Sequence, residues 1–304
     1  MSKKMLIEKY TAVQQVRYRD LLKWQKERFS KKKDLTFRVE HVGEDVTPFL
    51  HKNQEQTSIT FIGHCTFFIQ IGGLNILTDP VWATRMGLGK RLHDPGLAID
   101  QLPPIDLVLI SHNHYDHLHF GSIKKLPGNP MIFVPKGLAP LFRRKGYSKV
   151  QEFSWWDIAE IQDVKITFTP SYHWSRRTLW DLNSSLWGGW VLENKKACIY
   201  FLGDSGYHSV FKEIGSKFSI DYALIPIGAY EPEWFMKNQH ICPEEAVQCF
   251  EDLGAKHFIP MHYDAFRLAD ETPKEALDRL TAEWEKRQLQ KDVLKILKLG
   301  ETLK

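Results

Sequence analysis

The segment His112-Asn113-His114-Tyr115-Asp116-His117 places four metal-ligand side chains within six positions, directly behind the apolar run Ile105 to Ile110 (IDLVLI). A continuous apolar run of that length reads as a buried strand, so the cluster falls on the loop at a strand's carboxyl end, where ligands are usually carried. His112 and His114 stand two apart, and in extended backbone such side chains leave on the same side, so two imidazoles can grip one ion. Asp116 and His117 follow at once, and the turn of chain there can direct them to a second point a few ångströms away. Nitrogen and carboxylate donors in this mix suit zinc, and less exclusively manganese or iron. One isolated histidine is usually a packing residue; this cluster reads as a metal site.

The flanking sequence surrounds the cluster with short strands. Thr57 to Ile71 (TSITFIGHCTFFIQI) alternates and is rich in Ile, Phe and Thr, which predicts two strands with a turn at Gly63-His64. Leu74 to Thr78 is another short apolar run, closed by Asp79-Pro80. Met131 to Val134, Val164 to Thr169, Ser185 to Leu192, Ala197 to Leu202 and Tyr222 to Ile227 read as further strands. Leu138 to Lys145, Pro243 to Leu253 and Pro273 to Gln288 read as helices. Strands interspersed with helices, without strict βαβ alternation, indicate an α/β fold of sheets packed face to face with helices outside. No repeat, low-complexity tract or linker divides the chain, so 57–304 reads as one domain and 1–56 as an N-terminal basic helical extension.

Composition matters for what it excludes. With 43% hydrophobic and 26% charged residues, the 304-residue chain has the balance of a globular protein that buries a substantial core. No apolar stretch reaches the ~18 residues of a membrane-spanning helix. The start MSKKMLIEKY has no apolar core followed by a small-residue cleavage site, so no secretory signal is expected. Cys65, Cys198, Cys242 and Cys249 form no CxxC pair and read as reduced thiols of a cytoplasmic protein. Charge is lopsided: Met1 to Lys33 carries eleven Lys or Arg against three Asp or Glu, which leaves the rest of a +4 chain mildly acidic. With Leu6, Tyr10, Val13, Leu21 and Trp24 at roughly helical spacing, that segment reads as a basic amphipathic helix. Two readings stand for it: packing on the domain with a solvated basic face, or peripheral contact with anionic headgroups on the inner face of a membrane. The acidic body argues against a nucleic-acid partner.

The HxHxDH pattern resembles the signature of the metallo-β-lactamase superfamily, which implies an αββα four-layer sandwich with a metal site at one edge. The remaining parts of that pattern follow downstream, each behind a β-rich run: His173 in PSYHW, Asp204 in GDSGY and His262 in PMHYD. The resemblance implies that His112, His114 and His173 hold a first divalent ion, that Asp116, His117 and His262 hold a second, and that Asp204 bridges them. It implies hydrolysis by hydroxide held between the ions, zinc by preference and iron or manganese otherwise, with Asp116 and Asp204 catalytic as well as ligating. No nucleophile-elbow GxSxG motif is present.

Longer strings narrow the resemblance. GHCTFFIQ, TDPVW, LPPIDLVLISHNHYDHL, HWSRRTLWDLNSSLWGGW, GDSGY and IPIGAYEPEWFMKNQHICPEEAV, from about Thr57 to Phe266, closely resemble the N-acyl-phosphatidylethanolamine-hydrolysing phospholipase D family. This implies cleavage of a lipid phosphodiester on its head-group side, releasing an N-acylethanolamine and a phosphatidic acid, and suggests a homodimer. Arg176 and Arg177 could meet the phosphate through paired N–H donors, with Lys90 and Arg91 as weaker candidates. Gln239 and His240 precede the Pro243 helix. The matching family histidine lies beside the metals, which nominates His240 for substrate contact or for protonating the leaving alkoxide. Trp82, Trp234 and Phe235 are candidates for an apolar groove or a membrane interface, and most other tryptophans read as core. His64 is expected to support a ligand rather than to be one, and His119 has no assigned role. The rival enzyme reading is a sugar-phosphate lactonase or another small ester or phosphodiester hydrolase. The rival from another class, a non-catalytic metal-containing membrane-binding protein, sits badly with a complete ligand set.

Overall fold

Where the chain passes from charged helices to Ile- and Phe-rich sequence at Ser58, it becomes sheet. The computed structural model describes residues 3–12, 18–30 and 33–304. Helices α1 (Lys3–Tyr10), α2 (Tyr18–Ser30) and α3 (Thr47–Lys52) come first, then β1 (Ser58–Gly63), β2 (Thr66–Ile71), β3 (Leu74–Thr78) and a small hairpin, β4 (Arg85–Met86) and β5 (Gly89–Lys90). β6 (Ile105–Leu109), α4 (Phe120–Ile123), β7 (Gly128–Pro135), α5 (Ala139–Arg144) and β8 (Val150–Phe153) follow. The second half runs β9 (Ile158–Ile161), β10 (Val164–Pro170), β11 (Gly188–Glu193), β12 (Cys198–Phe201), α6 (Val210–Lys217) and β13 (Tyr222–Pro226). α7 (Glu233–Met236), α8 (Pro243–Leu253), β14 (His257–Met261), α9 (Pro273–Lys286) and β15 (Thr302–Leu303) complete it.

The strands assemble into two mixed sheets, ordered β15-β1-β2-β3-β6-β7-β8 and β14-β13-β12-β11-β10-β9. The period of two explains why their sequences are apolar throughout. In β2, Phe67, Ile69 and Ile71 face one core and Phe68 another; in β6, Leu107 and Leu109 face the first and Val108 the second. The first core lies between the sheets and includes Phe168, Trp190 and Phe201. The second is closed by Ala139 and Phe142 of α5. Phe211 and Ile214 of α6, Phe250 of α8 and Trp284 of α9 pack against the second sheet, which completes an αββα sandwich.

The helices with strong start signals lie where expected. α8 begins with Pro243 at its first turn and ends on Gly254 in left-handed backbone, φ 60°. α9 begins behind Thr272, whose side chain accepts from the Glu275 N–H, although it stops two residues before Gln288, at Lys286. Two expectations change. The strand read from Ser185 starts at Gly188, because Leu186 N–H donates instead to Lys136 O (2.8 Å) and Trp187 Nε1–H to Ser171 O (3.0 Å). The basic segment is not one helix, because after α1 the backbone turns to pair with the second sheet's loop. Ala12 N–H donates to His173 O (2.8 Å), His173 N–H donates to Tyr10 O (3.2 Å), and Tyr10 is buried in the core. Val13 lies outside the described residues. Among the described residues no helix is long and apolar enough to cross a membrane.

Trp190 ties core to loop. Its ring lies 4.6 Å from Phe168 and 5.2 Å from Phe153, and its Nε1–H donates to Ile110 O (3.0 Å), just before the histidine cluster. Trp190→Ala should lower the unfolding free energy by about 3–5 kcal/mol in urea titrations. A loss below ~1 kcal/mol would mean that this contact does not hold the sheets together.

Candidate metal centre

The carboxyl ends of β3, β6, β10, β12 and β14 meet at one edge of the sandwich and carry Asp79, His112 to His117, His173, Asp204 and His262. Close approach of these ends needs glycine. At Gly203 (φ +70°) a Cβ would lie 2.7 Å from Ser111 Cβ, and at Gly228 it would lie 2.0 Å from His262 O. His262 (φ 63°) and Asp79 (φ 32°) hold left-handed backbone themselves, a conformation that persists only where surrounding contacts enforce it.

All seven residues nominated as ligands come together here. The donor atoms of His112, His114, His173 and Asp204 lie within 4.8 Å of one another, as do those of Asp116, His117, Asp204 and His262. A tetrahedral ion with bonds of ~2.1 Å spaces its ligand atoms by about 3.4 Å. In the second group His117 Nε2 is 3.3 Å from Asp116 Oδ2 and 3.2 Å from Asp204 Oδ2, and His262 Nε2 is 3.4 Å from Asp116 Oδ2 and 3.3 Å from Asp204 Oδ1. In the first, His114 Nδ1 is 2.8 Å from His112 Nε2 and 3.3 Å from His173 Nε2, while His112 and His173 each lie 3.9 Å from Asp204 Oδ2. Asp204 alone belongs to both groups. His117 Nε2, His262 Nε2 and Asp204 Oδ1 are buried without a hydrogen-bond partner, which costs about 1–3 kcal/mol for each group unless a cation completes it. The donor set fits divalent metal. His64, Cys65, His117 and His262 form a further group that overlaps the second, with Cys65 a buried free thiol.

Electrostatics point the same way. Burial holds His112 far below its ordinary range and pulls His114 to about 4 and His173 to about 3, so these rings stay in the neutral form that binds metal. Burial also opposes charge on His117 and His262. There the Asp204 and Asp116 carboxylates prevail, raising His117 well above its usual value and His262 to about 9. Burial alone would push Asp116 and Asp204 up, yet the charge of His117 beside them keeps both well below the usual carboxylate range. Two buried anions thus require positive charge at one point, as protons or as metal.

The residue that organises this cluster is one the sequence reading passed over. Asp79, fully buried, accepts from Ser111 N–H (2.7 Å), Ser111 Oγ–H (2.5 Å) and His117 Nδ1–H (2.7 Å). Ser111 Oγ in turn accepts from His112 Nδ1–H (2.9 Å). One carboxylate therefore turns an imidazole nitrogen toward each of the two candidate donor groups. An acidic residue closing the short apolar run at Thr78 was the available signal. His64 Nε2 lies 3.1 Å from Asp116 Oδ2, the supporting position expected of it, and its backbone N–H donates to Asp264 Oδ1 (2.9 Å). His173 Nδ1–H donates to Gln239 O (2.9 Å).

A cavity of about 890 Å³ opens over the centre, with His114, Asp116, Asp204 and His240 in its lining. Arg176, Phe235 and Gln239 line it as nominated, and Gln239 Oε1 also accepts from Trp174 Nε1–H (2.6 Å). His240 Nδ1 stands 3.7 Å from Asp204 Oδ2. Other nominations are corrected. Arg177 is outside the lining: its Nη1 donates to Asn113 O and Leu118 O (both 2.8 Å) and its guanidinium covers Tyr115 at 4.0 Å, so it clamps the histidine loop. Arg91 donates to Val81 O (2.9 Å) and His93 O (3.1 Å). Trp82, half-buried, packs against the second core, and Trp234, 45% exposed, donates to Glu27 Oε2 (3.2 Å) outside the cavity.

Residues 74–263 match the family described as the beta-lactamase superfamily domain. The N-acyl-phosphatidylethanolamine-hydrolyzing phospholipase D 1 of Caenorhabditis elegans is 37% identical over 226 residues, which cover 68% of this chain and 64% of the relative. The mitochondrial N-acyl-phosphatidylethanolamine-hydrolyzing phospholipase D of Saccharomyces cerevisiae is 36% identical over 242 residues, covering 74% of this chain and 52% of the relative. This chain thus spans between about half and two thirds of these relatives' lengths. Isothiocyanate hydrolase from Delia radicum gut bacteria superposes with a TM-score of 0.68 over 81% of this chain and 98% of its own, at 19% identity, a likeness of fold alone.

Two outcomes follow for metal binding. Asp79→Asn should weaken metal retention about 10- to 100-fold against a competing chelator while unfolding remains cooperative; unchanged retention would remove Asp79 from its organising role. Because His117 and His262 are protonated below their raised pKa values, metal must displace those protons. Zinc titrated into metal-free protein near pH 7 should release about two protons per chain, and apparent affinity should rise as pH approaches the His262 value of about 9. Affinity independent of pH, with no proton release, would contradict this.

Proposed function

The chain belongs to the metallo-β-lactamase superfamily, and we propose that it is a metal-dependent hydrolase of phospholipase D type, cleaving N-acyl-phosphatidylethanolamine to an N-acylethanolamine and a phosphatidic acid. The observation that carries this reading is the cavity. Its floor holds the candidate ligands, while Trp24, Met86, Phe235, Met236 and Leu268 give it apolar walls and Arg85 and Arg176 add positive charge. An anionic diester joined to apolar tails matches that combination. The activity named for the Caenorhabditis elegans and Saccharomyces cerevisiae relatives supports the same substrate class.

His112, His114 and His173 would hold one ion, Asp116, His117 and His262 the other, and Asp204 both. Bound there, two divalent ions, zinc before iron or manganese, supply a nucleophile from water at neutral pH and a positive field for the phosphoryl oxygens. The remaining work falls to the protein. Water's oxygen joins phosphorus, the bond from phosphorus to the ethanolamine oxygen breaks, and that oxygen leaves with a proton. His240 would assist it. Burial draws its pKa down to about 3, so the ring is neutral at rest. A phosphate anion seated against it would favour the protonated form. Arg176 faces the cavity with its Nε–H committed to Thr178 O (2.9 Å), which fixes the guanidinium at the wall. The loops that line the mouth also carry Leu88 (98% exposed) and Trp180 (92% exposed), which supports peripheral contact with a lipid surface.

Zinc-loaded protein should release N-acylethanolamine from N-acyl-phosphatidylethanolamine in mixed vesicles and turn over a panel of lactones, sugar-phosphate lactones included, far more slowly. Absence of N-acylethanolamine at saturating lipid and metal sinks the lipid reading. His240→Ala should lower kcat about 100- to 10,000-fold with metal content retained. Loss of metal instead would make His240 a ligand.

A further inference from the structure

Part of the cavity wall comes from outside the matched domain. Trp24 of α2 lines the cavity and stacks on Phe235, with ring centroids 5.2 Å apart at 30°. Its Nε1 is buried with no hydrogen-bond partner among the described residues. Leu22, Lys23, Gln25 and Lys26 are exposed, while Arg28 Nε lies 3.5 Å from Asp270 Oδ1, Glu27 accepts from Trp234, and Lys23 sits over the Trp234 ring at 4.2 Å. α2 thus brings an aromatic side chain to the cavity beside Phe235.

We propose that α2 forms the acyl-chain wall of the active-site cavity and that Trp24 is its specificity-determining residue. The stacked Trp24 and Phe235 rings receive a hydrocarbon tail while the phosphate sits toward Asp204 and His240. This deepens the lipid-phosphodiester reading and rests on it for the identity of the tail.

The test uses full-length, zinc-loaded protein and binding as well as turnover. Calorimetric affinities for submicellar decyl phosphate and for inorganic phosphate are compared. Trp24→Ala should cut the preference for decyl phosphate about tenfold, equivalent to about 1.4 kcal/mol. Trp24→Phe should keep most of the preference, and Lys26→Ala, on the exposed side of the same helix, should leave the ratio at the wild-type value. Arg28→Ala, which removes both the tie to Asp270 and the guanidinium over the Trp24 ring (5.6 Å), should shift the ratio in the same direction as Trp24→Ala. In hydrolysis, the rise in kcat/KM with N-acyl chain length should flatten in Trp24→Ala. Equal weakening of both phosphates, or no change in their ratio, overturns the proposal. A Trp24-dependent preference for decyl phosphate in a protein that fails to hydrolyse the lipid upholds the apolar wall and rejects the substrate identity alone.

Discussion

Asp116 and Asp204 are carboxylates sunk among imidazoles at the junction of the two sheets, and charge placed there must be answered within a few ångströms. Buried anions are tolerated only when paired or coordinated. The answer lies in His117 and His262, which face both carboxylates at 3.2 to 3.4 Å and stand ready to hold either a proton or a metal. The local backbone is shaped to this demand. Left-handed Asp79 and His262, and the close approaches at Gly203 and Gly228, are costs accepted where five strand ends must bring their side chains to one point.

Support for the centre extends outward in connected layers. Asp79 turns His117, and through Ser111 also His112; Asp264 pins the His64 backbone, and His64 reaches Asp116. His93 Nε2 lies 2.8 Å from Asp264 Oδ2, so the chain of contacts continues to His93. Trp190 joins the inter-sheet core to the residue ahead of the histidine cluster. The cavity's outer parts carry exposed apolar side chains: Leu22 on α2, Leu88 on the β4–β5 hairpin, and Leu179 and Trp180 on the loop after Arg176.

Much of this was legible in the chain. Alternating and continuous apolar runs mark strands because a strand with two buried faces has no polar position to offer. Pro243 and Pro273 mark helix starts because proline needs no N–H donor partner in a first turn. The strand ahead of His112 and the spacing within HNHYDH identify a metal-binding loop from local geometry alone. Residues whose roles depend on distant partners were not legible in this way. Arg177 looks identical to Arg176 in sequence, yet only the packing sends one guanidinium to the carbonyls of the histidine loop and leaves the other at the cavity. Trp82 and Trp234 look as suited to a lipid groove as Phe235, and differ only in where their chains are carried.

Sequence pattern thus specified the two-sheet architecture and the nominated ligand set, since periodicity, turn chemistry and ligand spacing are properties of short stretches of chain. Long-range packing alone settled which atoms share the centre with those ligands: Asp79 at 38 positions from His117, Gln239 at 66 from His173, and Trp24 stacked on Phe235 across most of the chain. Hydrophobic patterning states that a face is buried but not against what. The partners are chosen when two sheets close on each other and bring their loops to one edge.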